Sequence, residues 1–505
     1  MQKSRDNSAS LVAVSDVRLR INRRKVLTVD EFKIHRGEHW CVLGGNGAGK
    51  SLLAQLIRGQ LPRARQHLRY SPGFDPKTDM DVVSFEEQQQ LWARDNRHDI
   101  SEFSSAASDP GTTVRQLICR NNGPGLLAGE PAREILAVLQ IDSLLESGIR
   151  YLSSGQIRKA MLARALLGHA APPGRLLVLD DPLEAIDRQA QPGVRNLLSR
   201  WMSGDNASLL LCRRQGEVLP GITHLALMED LQLIAQGPVD KVRVSRDFAR
   251  VVKKPAAQPG SIPVNRNRQS ALTDPVAPVL LEEVSAAYGD TLVLNRVTWR
   301  MEPGQHTLIE GPNGCGKSTL LSLIDGENHK AYGQRVTLFG RRRGSGESVW
   351  DIKSHFGVVS NEIHNKYVKG WRVLDVVVSG YYDSVGLYDD SGASQAEYAL
   401  AWLQSLGLAE LSREYFHELS FGQQRLVLVA RAMVKAPDVL ILDEPCVGLD
   451  DYYRQLVLAV VDCIAEQTKT QLIYVSHTEG EEPACINQRL RFEPAAGGGY
   501  HLVER

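Results

Sequence analysis

"LGGNGAGKS", Leu43–Ser51, and "EGPNGCGKS", Glu310–Ser318, decide the fold of this chain. Each is a GxxxxGKS loop between a β-like apolar run and a helix-forming run. "HWCVL" and "SLLAQLI" flank the first; "HTLIE" and "STLLSLI" flank the second. Glycines there let successive backbone N–H groups turn toward one shell of phosphate oxygens, and the following helix adds its positive end. The lysine reaches the β- and γ-phosphates of a nucleotide, and the serine hydroxyl reaches Mg²⁺. Gly44, Gly45, Asn46, Gly47, Ala48, Gly49, Lys50 and Ser51 are therefore expected to bind ATP, as are Gly311, Pro312, Asn313, Gly314, Cys315, Gly316, Lys317, Ser318 and Thr319. Ser51 and Ser318 are also candidate metal ligands.

The chain repeats itself. Lys50 and Lys317 stand 267 residues apart (317 − 50), and "LSSGQ", Leu152–Gln156, lies at the same offset from "LSFGQ", Leu419–Gln423. "VLDDP", Val178–Pro182, returns as "ILDEP", Ile441–Pro445. Asp180 and Asp443 are 263 apart (443 − 180), so three motifs return in one order at nearly one offset. That means a duplicated domain of roughly 230 residues, too long a period for a solenoid. The domains are read as 1–250 and 279–505. Between them, 251–278 is rich in Pro, Gly, Ser and Asn, has no apolar period, and reads as an extended tether. Runs such as "LLVLD", "SLLLC", "VLILD" and "QLIYVS" are apolar on nearly every residue, as strands buried on both faces of a parallel sheet are. Helical patterns fill roughly 91–150 and 368–415. The expected fold is α/β, two tandem domains each with a mainly parallel sheet and a helical insertion.

Composition narrows the function. Lys+Arg number 59 and Asp+Glu 59, so no global field draws the chain to nucleic acid or anionic lipid, and no nucleic-acid partner is expected. The basic runs Arg18–Lys25 and Gly340–Gly344 carry no interleaved aromatics and read as solvated edges. The seven cysteines form no CxxC pair, which excludes zinc and iron–sulfur spacing and fits reduced thiols in the cytosol. No run of about 18 apolar residues occurs, so a membrane span would have to come from a partner.

Asp180 and Asp443 end apolar runs and so stand at the sheet edge, placed to hold Mg²⁺. The next residue is placed to orient or deprotonate a water. Glu444 has the reach; Asp181 is shorter by about 1.5 Å. "LSSGQ" and "LSFGQ" each open a helix. Alone, Ser-x-Gly is a common capping pattern. At this distance before the aspartates, Ser153, Gly155, Ser420 and Gly422 become further γ-phosphate ligands.

These are the Walker A, signature and Walker B motifs, and the chain resembles the ABC-type ATPases twice over, apart from the tether and termini. The resemblance implies that each ATP lies between one domain's Walker motifs and the other's signature: Lys50 and Asp180 with Ser420 and Gly422, Lys317 and Asp443 with Ser153 and Gly155. One chain then supplies two nucleotide sites as a pseudo-symmetric monomer. It also implies an aromatic beneath the adenine and a histidine sensing the γ-phosphate. The second copy has Tyr288 and His477 there; the first has Ile21 and Arg213. At the family's glutamine position the alignment puts Glu86 and Asn361. The expectation is that the Lys317, Glu444 and His477 site hydrolyses ATP. The Lys50 and Asp181 site would bind ATP and turn over slowly or not at all.

Leu338–Ser360, Val377–Tyr388 and "VSHTEGEEPACINQRL" are similar to the tandem ATPases of the ModF type, associated with molybdate transport. This resemblance implies a cytoplasmic protein, peripheral on the inner membrane where it meets an integral membrane permease, using ATP and Mg²⁺. A soluble ATP-gated switch or regulator without a permease is the alternative.

Overall fold

The computed structural model describes residues 10–21, 25–96, 111–120, 123–168, 174–184, 186, 190–203, 206–252, 258–263, 276–288, 291–367, 370–386, 392–476 and 481–505. It divides into two compact units, Met1–Lys254 and Pro255–Arg505.

In the first unit the strands are β1 (Ser10–Arg20), β2 (Val26–His35), β3 (His39–Leu43), β4 (Leu68–Tyr70), β5 (Met80–Val83), β6 (Leu176–Asp180), β7 (Ala207–Cys212), β8 (His224–Glu229) and β9 (Gln232–Pro238). They form one sheet in the order β4-β1-β2-β9-β8-β3-β7-β6-β5. The second unit has β10 (Val279–Tyr288), β11 (Thr291–Met301), β12 (Thr307–Glu310), β13 (Arg335–Leu338), β14 (Arg341–Arg342), β15 (Phe356–Val359), β16 (Val439–Asp443), β17 (Gln471–Ser476), β18 (Gln488–Pro494) and β19 (Tyr500–Glu504). Their order is β14-β13-β10-β11-β19-β18-β12-β17-β16-β15. In both, the strands around the phosphate loop are parallel: β8, β3, β7, β6 and β5 in the first, β18, β12, β17, β16 and β15 in the second. Antiparallel ribbons, β1–β2 and β10–β11, extend each sheet on the far side. The expected α/β architecture is present in each unit.

The parallel strands read as unbroken apolar runs because both faces are covered. Along β3, Trp40 and Val42 join the cluster containing Leu53, Leu56 and Ile57 of the helix after the phosphate loop. Cys41 and Leu43 join the opposite cluster, with Ile157, Met161 and Leu162 of the helix after "LSSGQ". Leu176 and Val178 against Leu177 and Leu179 on β6 divide the same way. In the first unit β3 and β6 are thus packed between the helix after the phosphate loop on one face and the helix after "LSSGQ" on the other.

The segment read as a tether contributes 258–263 to the second unit. Ile262 is 2% exposed. Gly260 N–H donates to Ser405 O at 2.8 Å, and the Tyr398 hydroxyl donates to Pro263 O at 3.0 Å. Ile262 N–H donates to Gln467 Oε1 at 3.3 Å. Burial of one isoleucine and satisfaction of three backbone groups hold a stretch whose composition alone suggests coil.

Candidate functional site

The two phosphate loops have one geometry. Gly49 and Gly316 precede the helices Lys50–Ile57 and Lys317–Ile324 at φ +104° and +103°, a conformation that L side chains avoid. A Cβ on Gly44 would lie 2.4 Å from Met228 O, so only glycine fits the start of the first loop. The lysines fold onto their own loops. Lys50 Nζ donates to Gly44 O (2.7 Å) and Gly45 O (3.0 Å), and Lys317 Nζ to Gly311 O (2.9 Å) and Pro312 O (3.1 Å). Each ammonium therefore stands at the mouth of its loop, where a phosphate would meet it.

Asp180 and Asp443 are the last residues of β6 and β16. The Ser51 hydroxyl lies 3.4 Å from Asp180 Oδ2, so the two candidate metal ligands of the first unit converge. Burial, with Glu444 beside it, pushes the Asp443 carboxyl up to about 6. Crowded hard oxygen donors of this kind suit Mg²⁺. The residues that follow, Asp181 and Glu444, both sit at left-handed φ, +45° and +49°. Both are fixed by a backbone hydrogen bond to the neighbouring strand, Asp181 N–H to Leu211 O and Glu444 N–H to Val475 O. The strained turn aims the carboxylate off the strand end.

Beyond this the units diverge. Asp180 pairs with Leu211 and Asp443 with Val475, so counting two residues on in the sequence makes Arg213 the counterpart of His477. His477 lies outside the described residues. Arg213 binds the carboxylates of its own unit. Its Nη2 lies 2.8 Å from Asp181 Oδ2, and its two terminal nitrogens hold Glu184 in a fork at 3.0 Å each. Asp181 is 5% exposed, and its Oδ1 is buried without a hydrogen-bond partner. Burial, with Asp180 beside it, pushes its carboxyl well above the usual range against the pull of Arg213. Glu184 is lowered, because the bidentate guanidinium outweighs its burial. The carboxylate at the base position of the first unit is thus paired and shut away from water. Glu184 was missed in the sequence, where Val447 is its counterpart.

The signature serines are helix caps. Gln156 N–H donates to Ser153 Oγ and Gln423 N–H to Ser420 Oγ, each at 3.3 Å. Gly155 is buried, and a Cβ on Gly422 would lie 2.2 Å from Cγ of Tyr453, which explains glycine there. Tyr288 ends β10, half-exposed, and Ile21 follows β1.

The glutamine-position alignment needs correction. Val83 pairs with Leu179 and Val359 with Leu442, each one residue before the aspartate, so Val83 and Val359 correspond. Two residues further on stand Phe85 and Asn361; Glu86 is the counterpart of Glu362. Similar side chains, "SFEE" and "SNEI", hid a one-residue slip that strand register resolves. Asn361 Oδ1 accepts from Arg425 Nη2 at 2.6 Å. His364 stacks on Phe421 of the signature at 4.6 Å, and burial with nearby Arg425 pushes its imidazole down to about 4. Neutral at physiological pH, that ring is a packing group joining the short helix Asn361–Lys366 after β15 to the signature helix. In the first unit, Arg158 donates to Asp180 O at 2.9 Å instead.

Among the described residues no helix is long and apolar enough to cross a membrane. The ABC transporter family model matches residues 27–184 and 294–447. The chain is 33% identical to the ABC transporter ATP-binding protein ModF of Escherichia coli, over 96% of this chain and 97% of that protein. It is 25% identical to an uncharacterized ABC transporter ATP-binding protein of Schizosaccharomyces pombe, over 92% and 93%. An archaeal ribosome recycling factor, aABCE1, solved with ribosomal stalk protein aP1, shares the fold at TM-score 0.57 and 17% identity, over 96% of this chain and 88% of that one.

Proposed function

This chain belongs to the ABC transporter family of ATP-binding proteins, and we propose that it hydrolyses ATP mainly at the second of two unequal sites, as the cytoplasmic energy-coupling subunit of a molybdate permease. The observation that carries the asymmetry is the Arg213–Asp181–Glu184 ion cluster. The molybdate assignment rests on full-length similarity to ModF.

In this reading Lys317 and the loop 311–319 hold the phosphates, and Ser318 and Asp443 hold Mg²⁺, which when bound neutralises charge on the β- and γ-phosphate oxygens. Glu444 accepts a proton from the water that attacks the γ-phosphorus. The bond to the β,γ-bridging oxygen breaks, and ADP and phosphate leave. His477 steadies the γ-phosphate. Lys50, Ser51 and Asp180 bind a second ATP that persists because Asp181 is held by Arg213. Ser153, Gly155, Ser420 and Gly422 serve as γ-phosphate ligands in the ATP-filled state. Lys317→Ala removes most turnover and Lys50→Ala spares a substantial part, measured as phosphate release by each full-length variant. The reverse pattern would overturn the assignment.

A second reading, a soluble ATP-gated switch, has its own support. In the family the glutamine couples nucleotide to permease, and Phe85 and Asn361 stand in its place. The deciding experiment purifies Glu444→Gln from native cells with ATP and Mg²⁺. An integral membrane protein that co-purifies, and is absent when Lys317 is also changed, is expected. A ribosome, DNA or soluble protein instead would sink the permease reading.

A further inference from the structure

Asn328 and Lys330 lie outside every motif, yet both hold Tyr288. The Asn328 amide is fully engaged. One Nδ2 hydrogen goes to the Tyr288 hydroxyl at 3.0 Å and the other to Ser322 Oγ at 3.1 Å, while Oδ1 accepts from Lys330 N–H at 3.0 Å. Asn328 N–H also donates to Ser322 O at 3.0 Å. Ser322 lies on the helix Lys317–Ile324 that follows the phosphate loop. Five residues separate it from Lys317, about 7.5 Å along the axis. Tyr288 is therefore tied in register to the loop that meets the phosphates. The Lys330 ammonium lies over the ring, 4.8 Å from its centroid, and covers one face. Tyr288 keeps 48% of its surface exposed.

A tyrosine at a strand end ordinarily has two soft torsions to lose when something stacks on it. Here the hydroxyl is anchored and one face is taken before any ligand arrives, so that entropy is already spent. The first copy lacks the ring and the side-chain amide that holds it. At the 267-residue offset, Ile21, Gln55, Leu61 and Arg63 stand where the second has Tyr288, Ser322, Asn328 and Lys330. Leu61 offers no amide, and Ile21 no ring.

We propose that Asn328 and Lys330 are positioning residues that preset Tyr288 as a one-faced platform for a nucleobase, so that the second site reads base and phosphates while the first reads phosphates alone. This rests on the reading that both loops bind nucleotide. The test uses the full chain carrying Lys50→Ala, so that only the second loop binds, titrated calorimetrically with ATP and with inorganic tripolyphosphate in Mg²⁺. Asn328→Leu and Lys330→Met each weaken ATP about 5- to 10-fold and leave tripolyphosphate within about twofold. Tyr288→Ala weakens ATP roughly 10- to 100-fold. Tyr288→Trp, which stacks without a hydroxyl, makes ATP affinity indifferent to Asn328→Leu. In the Lys317→Ala chain, ATP and tripolyphosphate bind the first site within a few-fold of each other. Equal losses for both ligands in Asn328→Leu, or no loss for ATP, would overturn the platform and leave the nucleotide reading standing. If the Lys50→Ala chain binds neither ligand, the nucleotide reading falls and the inference with it.

Discussion

Glu444→Gln lowers steady-state ATP turnover by roughly 10²- to 10⁴-fold, the range of a lost general base, and leaves ATP affinity nearly unchanged. The amide has the size of the carboxylate, so the turn at φ +49° and the hydrogen bond from residue 444 N–H to Val475 O survive. In the proposed reading the phosphates are held by Lys317 and its loop, not by this side chain. Only proton acceptance from water is lost. Asp181→Asn, at the equivalent place, changes turnover less than about twofold, because that carboxylate is already spent on Arg213 at 2.8 Å. Phosphate release by the two variants, with nucleotide binding by equilibrium dialysis, checks both halves. Equal losses would mean that the first site turns over and the asymmetry is wrong.

The fold was legible because its decisive elements are local. A glycine loop between strand and helix can be read from nine residues, and unbroken apolar runs announce strands covered on both faces. Asp180, Asp443, Glu444 and Asp181 followed from position at strand ends. What stayed hidden depends on side chains meeting across sequence. Glu184 looks like an exposed acid until Arg213, brought in by β7, closes on it. Asn328 is an unremarkable polar residue until Tyr288 arrives from β10. The "RRRG" run read as a solvated edge is split: Arg341 and Arg342 are exposed, but Arg343 is buried against Glu347 at 3.0 Å and over the Tyr332 ring. The glutamine position was misread by one residue in the first copy, since a strand's end is fixed by pairing and not by its own letters.

That correction bears on coupling. A glutamine links nucleotide to partner by reaching both, whereas the residues found here turn inward. Asn361 accepts from buried Arg425, and His364 stacks on the signature phenylalanine. The residues after β15 in the second unit are therefore packed directly on that unit's own signature helix. The first unit, with Phe85 there, has no such polar clip at that position. The loops after β5 and β15 thus add a second difference between the units, independent of Arg213.

Arg213→Met is expected to destabilise the first unit by about 3–5 kcal/mol, the cost of leaving a buried ion group without its partner. For a unit of this size that lowers the melting temperature by roughly 6–20 °C. Asp181 and Glu184 are 5% and 19% exposed, so solvent does little to replace the guanidinium. Arg158, whose Nη2 lies 3.7 Å from Glu184, and Arg214 are cations that remain near it. The sign with pH follows from the carboxylates. In the wild type, Arg213 holds Glu184 below its ordinary value, so its contribution is present above the unfolded pKa and is lost as pH falls through the lower folded one. Asp181 is already raised by burial in the wild type; without Arg213 it rises further and burial raises Glu184 as well. Each then costs stability as pH rises above its unfolded pKa and recovers it on protonation. The gap between wild type and Arg213→Met is therefore widest at neutral pH and narrows toward pH 4. Arg213→Met with Asp181→Asn and Glu184→Gln removes the charges together and regains most of the loss. A melting curve for Arg213→Met that overlays wild type at pH 7 would show that the cluster does not hold the first unit. Asp181 would then be open to act as a base, and the reason for expecting a silent first site would go with it.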